Sequence, residues 1–484
     1  MHAFRDVDYD RYTITKEYDP DVETVRQRDM IRRAAELAKE REDRLGRRLN
    51  ACVVTFGCQM NARDSEKING VLTAAGIELT DDENADIVIY NTCTVRDNAN
   101  QRVYGRLGNL GVMKKKHPDK KIVLCGCMVQ EAAVIEKIRQ TYPFVDMIFG
   151  THNIYKFPEL LVRLLEDEGM IIDVWKKTDS VVEDLPVVRK YPFKSGVNIM
   201  FGCDNSCSYC IVPYVRGRER SRMSGEILEE VRRLADTGVS EVMLLGQNVN
   251  SYGRGLEGEI SFPELLKEVE KVEGIRRIRF MTSHPKDLSD ELIEVMAESR
   301  KICSHLHLPV QSGSSRVLEM MNRKYTRESY LELVYKLRKA MPDLSITTDI
   351  IVGFPGEEAA DVDETVSLIH EAAYDNAFTF IYSKRAGTPA AYYESRMSAE
   401  EISEGFNRVL AAVQEEARKN VSRFSGRTME ALVEEVNEKD SGYVTGRLSG
   451  NVLVHFKGDA SMVGTYQNIK LTENKGFYYI GERV

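Results

Sequence analysis

Three cysteines stand within eight residues of one another, as Cys203, Cys207 and Cys210 of the segment CDNSCSYC. Thiolates at this C-x3-C-x2-C spacing can bind three irons of a cubane and leave the fourth iron without a protein ligand. An open metal position is a place where a small molecule can chelate. A tetrahedral zinc site is the alternative, but it needs a fourth Cys or His, and none occurs in the 40 residues after Cys210. The spacing therefore indicates an iron–sulfur site with one open iron.

Length and composition describe an ordinary globular protein. The chain has 484 residues, 42% of them hydrophobic and 30% charged, and this length predicts about two to four domains. It contains no 18-residue apolar run and no apolar signal segment, so we expect no membrane partner. Nine cysteines without a signal segment indicate metal binding in a reducing compartment, and we expect a cytoplasmic protein. The net charge of −9 argues against general coating of nucleic acid, although a local basic patch can still bind RNA.

Residues 1–48 form a charged N-terminal extension that is poor in large apolar side chains. The stretch from Asp21 to Arg48 has the pattern of one amphipathic helix. Such a segment is either a docking arm or a partly disordered leader. We expect an accessory extension without chemistry.

Apolar runs alternate with helical periods in the next region, which we place at residues 49–184. The runs CVVTF, ADIVIY and KIVLC predict strands of an open parallel sheet built from βαβ units. Cys58, Cys93 and Cys127 each follow the end of one of these strands. Because the carboxyl ends of parallel strands gather along one edge of a sheet, we expect these cysteines to meet there. The sequence thus predicts a second three-cysteine site.

The remaining three cysteines have a different setting. Cys52 and Cys125 fall inside predicted strands, and Cys303 stands near the start of a later one. A free thiol inside a strand behaves as a small buried hydrophobe. We therefore expect all three to belong to the core rather than to a metal site.

Six strand-like segments separated by helices follow a proline-containing linker, and we assign them to a domain at residues 189–420. They are GVNIMF, EVMLLG, RIRFMT, HLHLPV, SITTDIIVGF and AFTFIYS. Six β/α units predict a partial (β/α)6 barrel, and the CDNSCSYC run follows its first strand. Functional groups in such barrels collect on loops at the carboxyl ends of strands. One cavity should therefore receive the open iron and the loops of the other strands.

The last region, residues 423–484, follows a predicted connecting helix from Ala399 to Ser422 and contains short strands with turn residues between them. Four segments, EALVEEV, YVTGRLS, NVLVHFKG and YQNIKLTE, predict a small β-barrel, an architecture that often binds nucleic acid. Between Phe424 and Val484 the chain carries seven Lys and Arg against eight Asp and Glu. The overall charge of this region gives no support to RNA binding. Binding would have to depend on where its individual basic residues lie.

These motifs together resemble the radical S-adenosylmethionine (SAM) methylthiotransferase family from about Leu49 to Val484. The segments that carry the resemblance are TFGCQMNARDSE, NTCTVRDNANQRVYGRLG, GCM, CDNSCSYCIVPYVRGRERSR, LLGQNVNSYG, TSHPKDLSDELI, HLPVQSGS, TDIIVGFPGE and YSKRAGTPAA, in the family's order. The C-terminal barrel is similar to the family's TRAM domain, a small RNA-binding module. The resemblance implies an α/β fold with an N-terminal βαβ domain, a radical SAM barrel and a TRAM-like barrel.

The resemblance also implies two [4Fe-4S] clusters and SAM as cofactors. Cys203, Cys207 and Cys210 would hold the cluster that cleaves SAM to a 5′-deoxyadenosyl radical. Cys58, Cys93 and Cys127 would hold an auxiliary cluster that positions sulfur. The six cysteines are therefore the expected catalytic set, with flavodoxin or ferredoxin as electron donor and an unknown sulfur donor.

Candidate SAM contacts are Tyr209, which precedes the last cysteine, and polar or small residues expected at barrel strand ends. These are Gln247, Gln311, Asp349 and Gly353, the last allowing a close backbone approach. The alternative for Gln311 and Asp349 is that they cap helices or connect barrel strands.

Four arginines, Arg216, Arg218, Arg220 and Arg222, follow the cysteine run within seven residues. They form either a solvated salt-bridge stripe or a contact to tRNA phosphates, and we favour the latter beside an active site.

Gln59, Met60 and Asn61 resemble the branch of the family that modifies isopentenyladenosine in tRNA. We therefore expect addition of a methylthio group to C2 of N6-isopentenyladenosine, 3′ of the anticodon, with the tRNA anticodon arm as partner. The alternatives are threonylcarbamoyl-adenosine or a ribosomal protein as substrate. A non-catalytic iron–sulfur tRNA-binding protein is the alternative of another class.

Overall fold

The computed structural model describes residues 20–94, 97–178, 181–183 and 185–484. The chain divides into two compact units. Unit 1 comprises Met1–Lys190, Met200–Asn205 and Cys210–Arg222, and unit 2 comprises Tyr191–Ile199, Ser206–Tyr209 and Met223–Val484. Among the described residues, no helix is long and apolar enough to cross a membrane.

Unit 1 is built on a six-stranded parallel sheet, which confirms the predicted βαβ architecture. The strands are β1 (Asn50–Thr55), β2 (Glu78–Leu79), β3 (Ile87–Thr92), β4 (Lys121–Gly126), β5 (Met147–Phe149) and β6 (Ile171–Asp173). Their order across the sheet is β2-β1-β3-β4-β5-β6. The three predicted strands are β1, β3 and β4; the sequence missed the others because runs of two or three residues give no readable period.

Helices cover both faces of this sheet. They are α1 (Pro20–Leu45), α2 (Gln59–Ala74), α3 (Asp97–Lys116), α4 (Ala132–Thr141) and α5 (Phe157–Leu165). Helix α1 corresponds to the predicted amphipathic helix, and it buries Ile31, Ala34 and Leu37 in the core of one face. Helix α1 is therefore part of the unit 1 core, while residues 1–19 lie outside the described part of the chain.

Unit 2 contains the predicted six parallel barrel strands. They are β7 (Lys194–Asn198), β10 (Glu241–Leu245), β11 (Arg277–Phe280), β12 (His305–His307), β13 (Ser345–Val352) and β14 (Asn376–Ile381); the intervening β8 (Met200–Phe201) and β9 (Arg220–Ser221) belong to unit 1. The barrel strands form two parallel sheets, β11-β10-β7 and β12-β13-β14. A parallel bridge joins Ile278 of β11 to Ile302, which lies just before β12.

The remaining helices are α6 (Val212–Val215), α7 (Ser224–Asp236), α8 (Phe262–Glu270), α9 (Asp290–Glu298), α10 (Ser315–Met320), α11 (Arg327–Ala340), α12 (Ala359–Ala372) and α13 (Ala399–Val421). Helix α13 is the predicted connecting helix. It begins at a capping box in which Ser398 accepts a bond from the backbone N–H of Glu401 while the Glu401 carboxylate accepts from the N–H of Ser398. Local capping chemistry thus fixes the start of the helix that leads to the C-terminal barrel.

The C-terminal region is a closed five-stranded barrel. Its strands are β15 (Thr428–Val436), β16 (Tyr443–Leu448), β17 (Leu453–Lys457), β18 (Tyr466–Asn474) and β19 (Tyr478–Arg483), in the order β15-β16-β17-β19-β18. The sequence missed β19, which closes the barrel and places Tyr479 in its core. Within unit 2, Arg277 of β11 donates to the carbonyls of Arg447 and Glu430 at 2.8 Å. The buried guanidinium of Arg277 therefore links the C-terminal barrel to β11 of the barrel of parallel strands.

Candidate active site

The structure brings Cys58, Cys93 and Cys127 together at the carboxyl edge of the unit 1 sheet. Cys58 Sγ and Cys127 Sγ lie 3.6 and 3.8 Å from the same acceptor, Asn61 Oδ1. On the other side, a Cβ on Gly57 would lie 2.3 Å from Cys93 Cβ, so the chain before Cys58 touches Cys93 directly. The φ of +115° at Gly57 is also one that only glycine adopts readily. We call this group of three thiols the auxiliary site.

Asn61 is fixed at the auxiliary site by buried hydrogen bonds. Its Nδ2 donates to the carbonyls of Phe56 at 3.1 Å and Thr92 at 2.8 Å, which follow β1 and end β3. Asn91 Nδ2 donates back to the Asn61 carbonyl at 2.8 Å. The amide of Asn61 therefore ties the first turn of α2 to two strand ends and turns its oxygen toward the thiols.

Arg216 enters the auxiliary site from the segment Cys210–Arg222. Its Nε donates to Cys127 Sγ at 3.2 Å, and its Nη2 donates to Asn61 Oδ1 at 2.9 Å and Asp64 Oδ2 at 3.0 Å. Arg216 is 5% exposed, so its guanidinium cannot reach an RNA phosphate. The structure therefore gives Arg216 internal partners in place of the predicted RNA contact.

Opposing effects act on the charges of this site. Burial raises the pKa of Cys127 to about 12, against the neighbouring positive charge of Arg216. Burial works to lower the pKa of Arg216, but Cys127 and Asp64 outweigh it and raise that pKa above its ordinary value. Arg216 therefore stays charged and favours the thiolate form of Cys127.

The other three arginines do not form one exposed stripe. Arg218 is exposed, whereas Arg220 is half-buried and donates to the carbonyls of Thr178 and Arg216. Arg222 is 4% exposed. Arg222 is therefore turned inward like Arg216, and Arg218 is the member of the four that is open to solvent. A run of alternating arginines does not reveal which ones the loop turns inward.

Cys203 and Cys210 belong to unit 1. The backbone N–H of Cys203 donates to the Gly217 carbonyl at 3.2 Å, and both Cys203 and Cys127 are buried. Ile211 and Val215, which follow Cys210, share a small core cluster with Cys127. The two ends of the CDNSCSYC run are thus held by the unit that carries the auxiliary site.

Cys207 belongs to unit 2, where it meets a second buried arginine. Arg323 Nη1 donates to Cys207 Sγ at 3.4 Å, its Nη2 donates to the Pro309 carbonyl at 2.9 Å, and its Nε donates to Tyr325 Oη at 2.7 Å. Sequence analysis missed Arg323, because nothing in its local sequence links it to a cysteine more than 100 residues away. Tyr209 packs edge-to-face on Phe354, with 6.5 Å between ring centroids.

The predicted SAM contacts in unit 2 occupy different kinds of position. Gln247 is half-buried just after β10. Gln311 has a φ of +75°, and its backbone N–H donates to the Asp349 carbonyl at 2.9 Å. Its backbone therefore connects barrel strands, as the alternative reading expected, and it holds a strained conformation of the kind found near functional sites.

Asp349 and Gly353 differ from expectation in detail. Asp349 lies inside β13 rather than at its end, and its Oδ2 is 3.4 Å from His307 Nε2. A Cβ on Gly353 would lie 2.8 Å from Cγ2 of Ile402 in α13. With its φ of +75°, position 353 therefore favours glycine, and the packing of Ile402 leaves little room for a side chain there.

Cys52, Cys125 and Cys303 are buried, as predicted. Burial raises the pKa of Cys52 to about 11, and the first two pack in the cores on either face of the unit 1 sheet. Within the described residues, no group of three or more His, Cys, Asp or Glu side chains is arranged to hold a single metal ion. That criterion does not apply to a cubane, in which each thiolate binds a different iron.

Comparison with known proteins divides the chain into three matched regions. Residues 50–150 match the uncharacterized protein family UPF0004, residues 197–369 match the radical SAM superfamily, and residues 422–484 match the TRAM domain. The matches cover the auxiliary site, the CDNSCSYC run with most of the barrel, and the C-terminal barrel, in that order.

Two relatives are similar over almost the whole chain. The tRNA-2-methylthio-N(6)-dimethylallyladenosine synthase of Lachnoclostridium phytofermentans is 58% identical over 444 residues, which are 92% of this chain and 97% of the relative. The enzyme of the same name from Acetivibrio thermocellus is 49% identical over 454 residues, 94% of this chain and 95% of the relative.

Among solved structures, the radical SAM methyltransferase TsrM from Kitasatospora setae is similar in fold. The TM-score is 0.51 at 15% sequence identity, over 71% of this chain and 75% of TsrM. At this identity the likeness shows a shared fold alone.

Proposed function

Because the chain belongs to the family of tRNA-2-methylthio-N(6)-dimethylallyladenosine synthases, we propose that it adds a methylthio group to C2 of N6-isopentenyladenosine, 3′ of the anticodon in tRNA. The observation that carries the proposal is the auxiliary site, in which Cys58 and Cys127 both approach Asn61 while Cys93 lies against Gly57. The CDNSCSYC run already supplies thiols for one cluster, so these three thiols form a second set. Threonylcarbamoyl-adenosine and a ribosomal protein remain the alternative substrates.

The cysteines fit two [4Fe-4S] clusters by their donor chemistry. Cys203, Cys207 and Cys210 would hold one by their spacing, and Cys58, Cys93 and Cys127 would hold the other, each set leaving one iron open. When bound, the clusters and SAM supply the one-electron and sulfur chemistry, while the protein supplies orientation and excludes water. Arg216 and Arg323 each place a positive charge beside one of these thiols, at Cys127 and Cys207 respectively.

SAM contacts are proposed for groups of unit 2 that accompany Cys207. Tyr209 lies against Phe354, and Gln311 and Asp349 share a backbone hydrogen bond on neighbouring barrel segments. Gln247 follows β10. Gly353 shapes the loop after β13 through its contact with Ile402. Gln247, Gln311 and Gly353 follow the ends of three barrel strands, where barrel enzymes bind their ligands, while Asp349 lies inside β13.

The RNA-binding groups are proposed to be the TRAM barrel and Arg218. Arg218 is exposed eight residues after Cys210, which places a guanidinium beside the proposed cluster loop. The partner is the anticodon arm of tRNA, the electron donor is a flavodoxin or ferredoxin, and the compartment is the cytoplasm. We keep the division at residues 49–184, 189–420 and 423–484 for the three functional regions, after the extension at 1–48.

The test uses the full chain, reconstituted anaerobically with iron and sulfide and supplied with SAM and a reductant. One tRNA carries isopentenyladenosine beside the anticodon, and its matched control carries adenosine. The isopentenyl group offers about five carbons, which can contribute up to ~4 kcal/mol when buried. We expect a methylthio product from the prenylated tRNA alone, detected by mass analysis of nucleosides. Equal modification of both tRNAs, or a methylthio group on a ribosomal protein, would overturn the substrate assignment.

The same reconstituted chain also tests the alternative that the protein is a non-catalytic tRNA-binding protein. A catalyst cleaves SAM reductively to methionine and 5′-deoxyadenosine, whereas a binding protein leaves SAM intact. Arg218→Gln should weaken tRNA binding and flatten its salt dependence by about one unit of log–log slope, because one phosphate contact is lost. It should leave SAM cleavage without tRNA unchanged, and an unaltered salt slope would remove Arg218 from the RNA-binding surface.

A further inference from the structure

Arg216 belongs to the loop that follows the radical SAM cysteines, yet its side chain belongs to the auxiliary site. The guanidinium contacts Cys127 Sγ at 3.2 Å, Asn61 Oδ1 at 2.9 Å and Asp64 Oδ2 at 3.0 Å. The side chains of Arg216 and Asp64 are 6% and 4% exposed. A charge so deeply buried is screened little by solvent or salt.

The backbone next to Arg216 is also closely packed and hydrogen-bonded. The Gly217 carbonyl accepts the backbone N–H of Cys203 at 3.2 Å. Gly202 has a φ of +74°, and a Cβ there would lie 2.0 Å from the Arg218 carbonyl oxygen. Cys203 is therefore joined through one hydrogen bond and one peptide unit to the residue that contacts Cys127.

Hydrogen bonds to cluster sulfurs and the net charge around a cluster set its reduction potential. Groups behind the ligands tune metal sites in the same way. A donor N–H and a buried positive charge both stabilise the reduced, more negative state of a cluster. Asp64 offsets part of that charge, and Asn61 fixes the guanidinium in place.

We propose that Arg216 is a positioning residue for the auxiliary site. Through its hydrogen bond to Cys127 Sγ, Arg216 raises the reduction potential of the cluster held at that site. The inference rests on the proposed function, because it requires that Cys58, Cys93 and Cys127 hold a cluster. Arg216 acts through Cys127 and touches no substrate. Its place in the segment after Cys210 makes the auxiliary site depend on the folding of the radical SAM loop.

The experiment isolates the auxiliary cluster in the full chain by replacing Cys203, Cys207 and Cys210 with Ala. In this parent, we expect about four irons per chain. Arg216→Gln should move the midpoint potential, measured by redox titration followed by electron paramagnetic resonance, to more negative values. The expected change is at least tenfold in the ratio of reduced to oxidised cluster, which is about 59 mV for one electron.

Two variants serve as controls. Arg218→Gln removes a neighbouring exposed arginine and should leave the potential unchanged. Arg216→Lys keeps the charge but loses the planar fork, so it should restore part of the shift. A merely structural role of Arg216 would lower iron content without moving the potential of the clusters that remain.

An unmoved potential in Arg216→Gln with about four irons retained would overturn the proposal. If that variant loses its iron, Asp64→Asn decides. It removes a buried carboxylate and leaves Arg216 in place, so the potential should rise, and an unchanged potential overturns the proposal. A parent that binds no iron would overturn the proposed auxiliary site itself, which is a different result from a bound cluster at an unmoved potential.

Discussion

The auxiliary site and the CDNSCSYC loop begin alike and are built differently. Both start with Phe-Gly-Cys, at Phe56–Cys58 and Phe201–Cys203. Gly57 and Gly202 have φ values of +115° and +74°, and a Cβ on either would collide with a neighbouring group. The auxiliary thiols, however, come from three strand ends, whereas the loop thiols are neighbours in sequence. The first set is therefore assembled by the sheet and the second by the local sequence.

A buried arginine accompanies each set. Arg216 reaches Cys127 from the residue after α6, and Arg323 reaches Cys207 from the turn after α10. The auxiliary thiol has further polar neighbours, since Asn61 and Asp64 also bind Arg216. The difference teaches that a dispersed site depends on tertiary structure for its ligands, while a contiguous site depends on it mainly for its electrostatics.

Removing all three auxiliary thiols should give the largest effect. Replacing Cys58, Cys93 and Cys127 together with Ala should lower the iron content of the reconstituted chain from about eight to about four. SAM cleavage should persist, because the loop set is complete. Iron analysis and product chromatography provide the measurement. Full retention of iron would show that the dispersed thiols are not ligands.

Gly57→Val tests whether the sheet edge assembles the auxiliary site. The new Cβ would meet Cys93 Cβ at 2.3 Å, so we expect loss of auxiliary iron without loss of the loop cluster. Gly76→Val is the matched control, because Gly76 has a φ of +80° but no heavy atom within 4 Å of its Cβ position. Equal iron in the two variants would contradict the close approach of Gly57 to Cys93.

Glu357, in the loop after β13, should make the folding stability of unit 2 depend on pH. Burial raises the pKa of Glu357 to about 7, against the N–H of Gly353, which works to lower it. The folded state then holds the proton more tightly than the unfolded state, so stability falls as pH rises from about 4.5 to about 7. The change is up to ~3 kcal/mol at about 1.4 kcal/mol per pKa unit.

Denaturant unfolding at pH 5 and pH 8 measures this dependence. Glu357→Gln should make it smaller, because the amide does not titrate, while keeping an acceptor for the Gly353 N–H. A pH dependence identical to that of the natural chain would rule out Glu357 as its source.

The non-ligand cysteines should give the smallest effects. Cys52→Ala and Cys125→Ala remove small buried groups from the two faces of the unit 1 sheet, at a cost of about 1 kcal/mol each. Iron content should not change. Loss of a whole cluster in either variant would mean that the replaced cysteine is a cluster ligand and not a core residue.

Much of the scaffold could be predicted from the sequence, because its signals are local. Apolar runs located β1, β3 and β4, and the rule for parallel strands placed Cys58, Cys93 and Cys127 at one edge. The six barrel strands and α13 were likewise readable from period and spacing. Strands of two or three residues, such as β2 and β5, carry no period and escaped detection.

Side-chain partners across long separations could not be predicted. The arginines from Arg216 to Arg222 read as one charged stripe, but the loop buries two of them and exposes Arg218. Arg323 and Cys207 are more than 100 residues apart, so their contact leaves no trace in local sequence. Strand β19 was also missed, although it follows β18 directly after a tight turn.

The central claim is that both cysteine sets serve one reaction on prenylated tRNA. Its most direct test is mass analysis of tRNA nucleosides from cells that lack this protein, complemented with the natural chain, with Cys127→Ala or with Cys207→Ala. The natural chain should restore 2-methylthio-N6-isopentenyladenosine, and each variant should leave N6-isopentenyladenosine unmodified at C2. Restoration of the methylthio nucleoside by Cys127→Ala, or its presence in cells without the protein, would contradict the account.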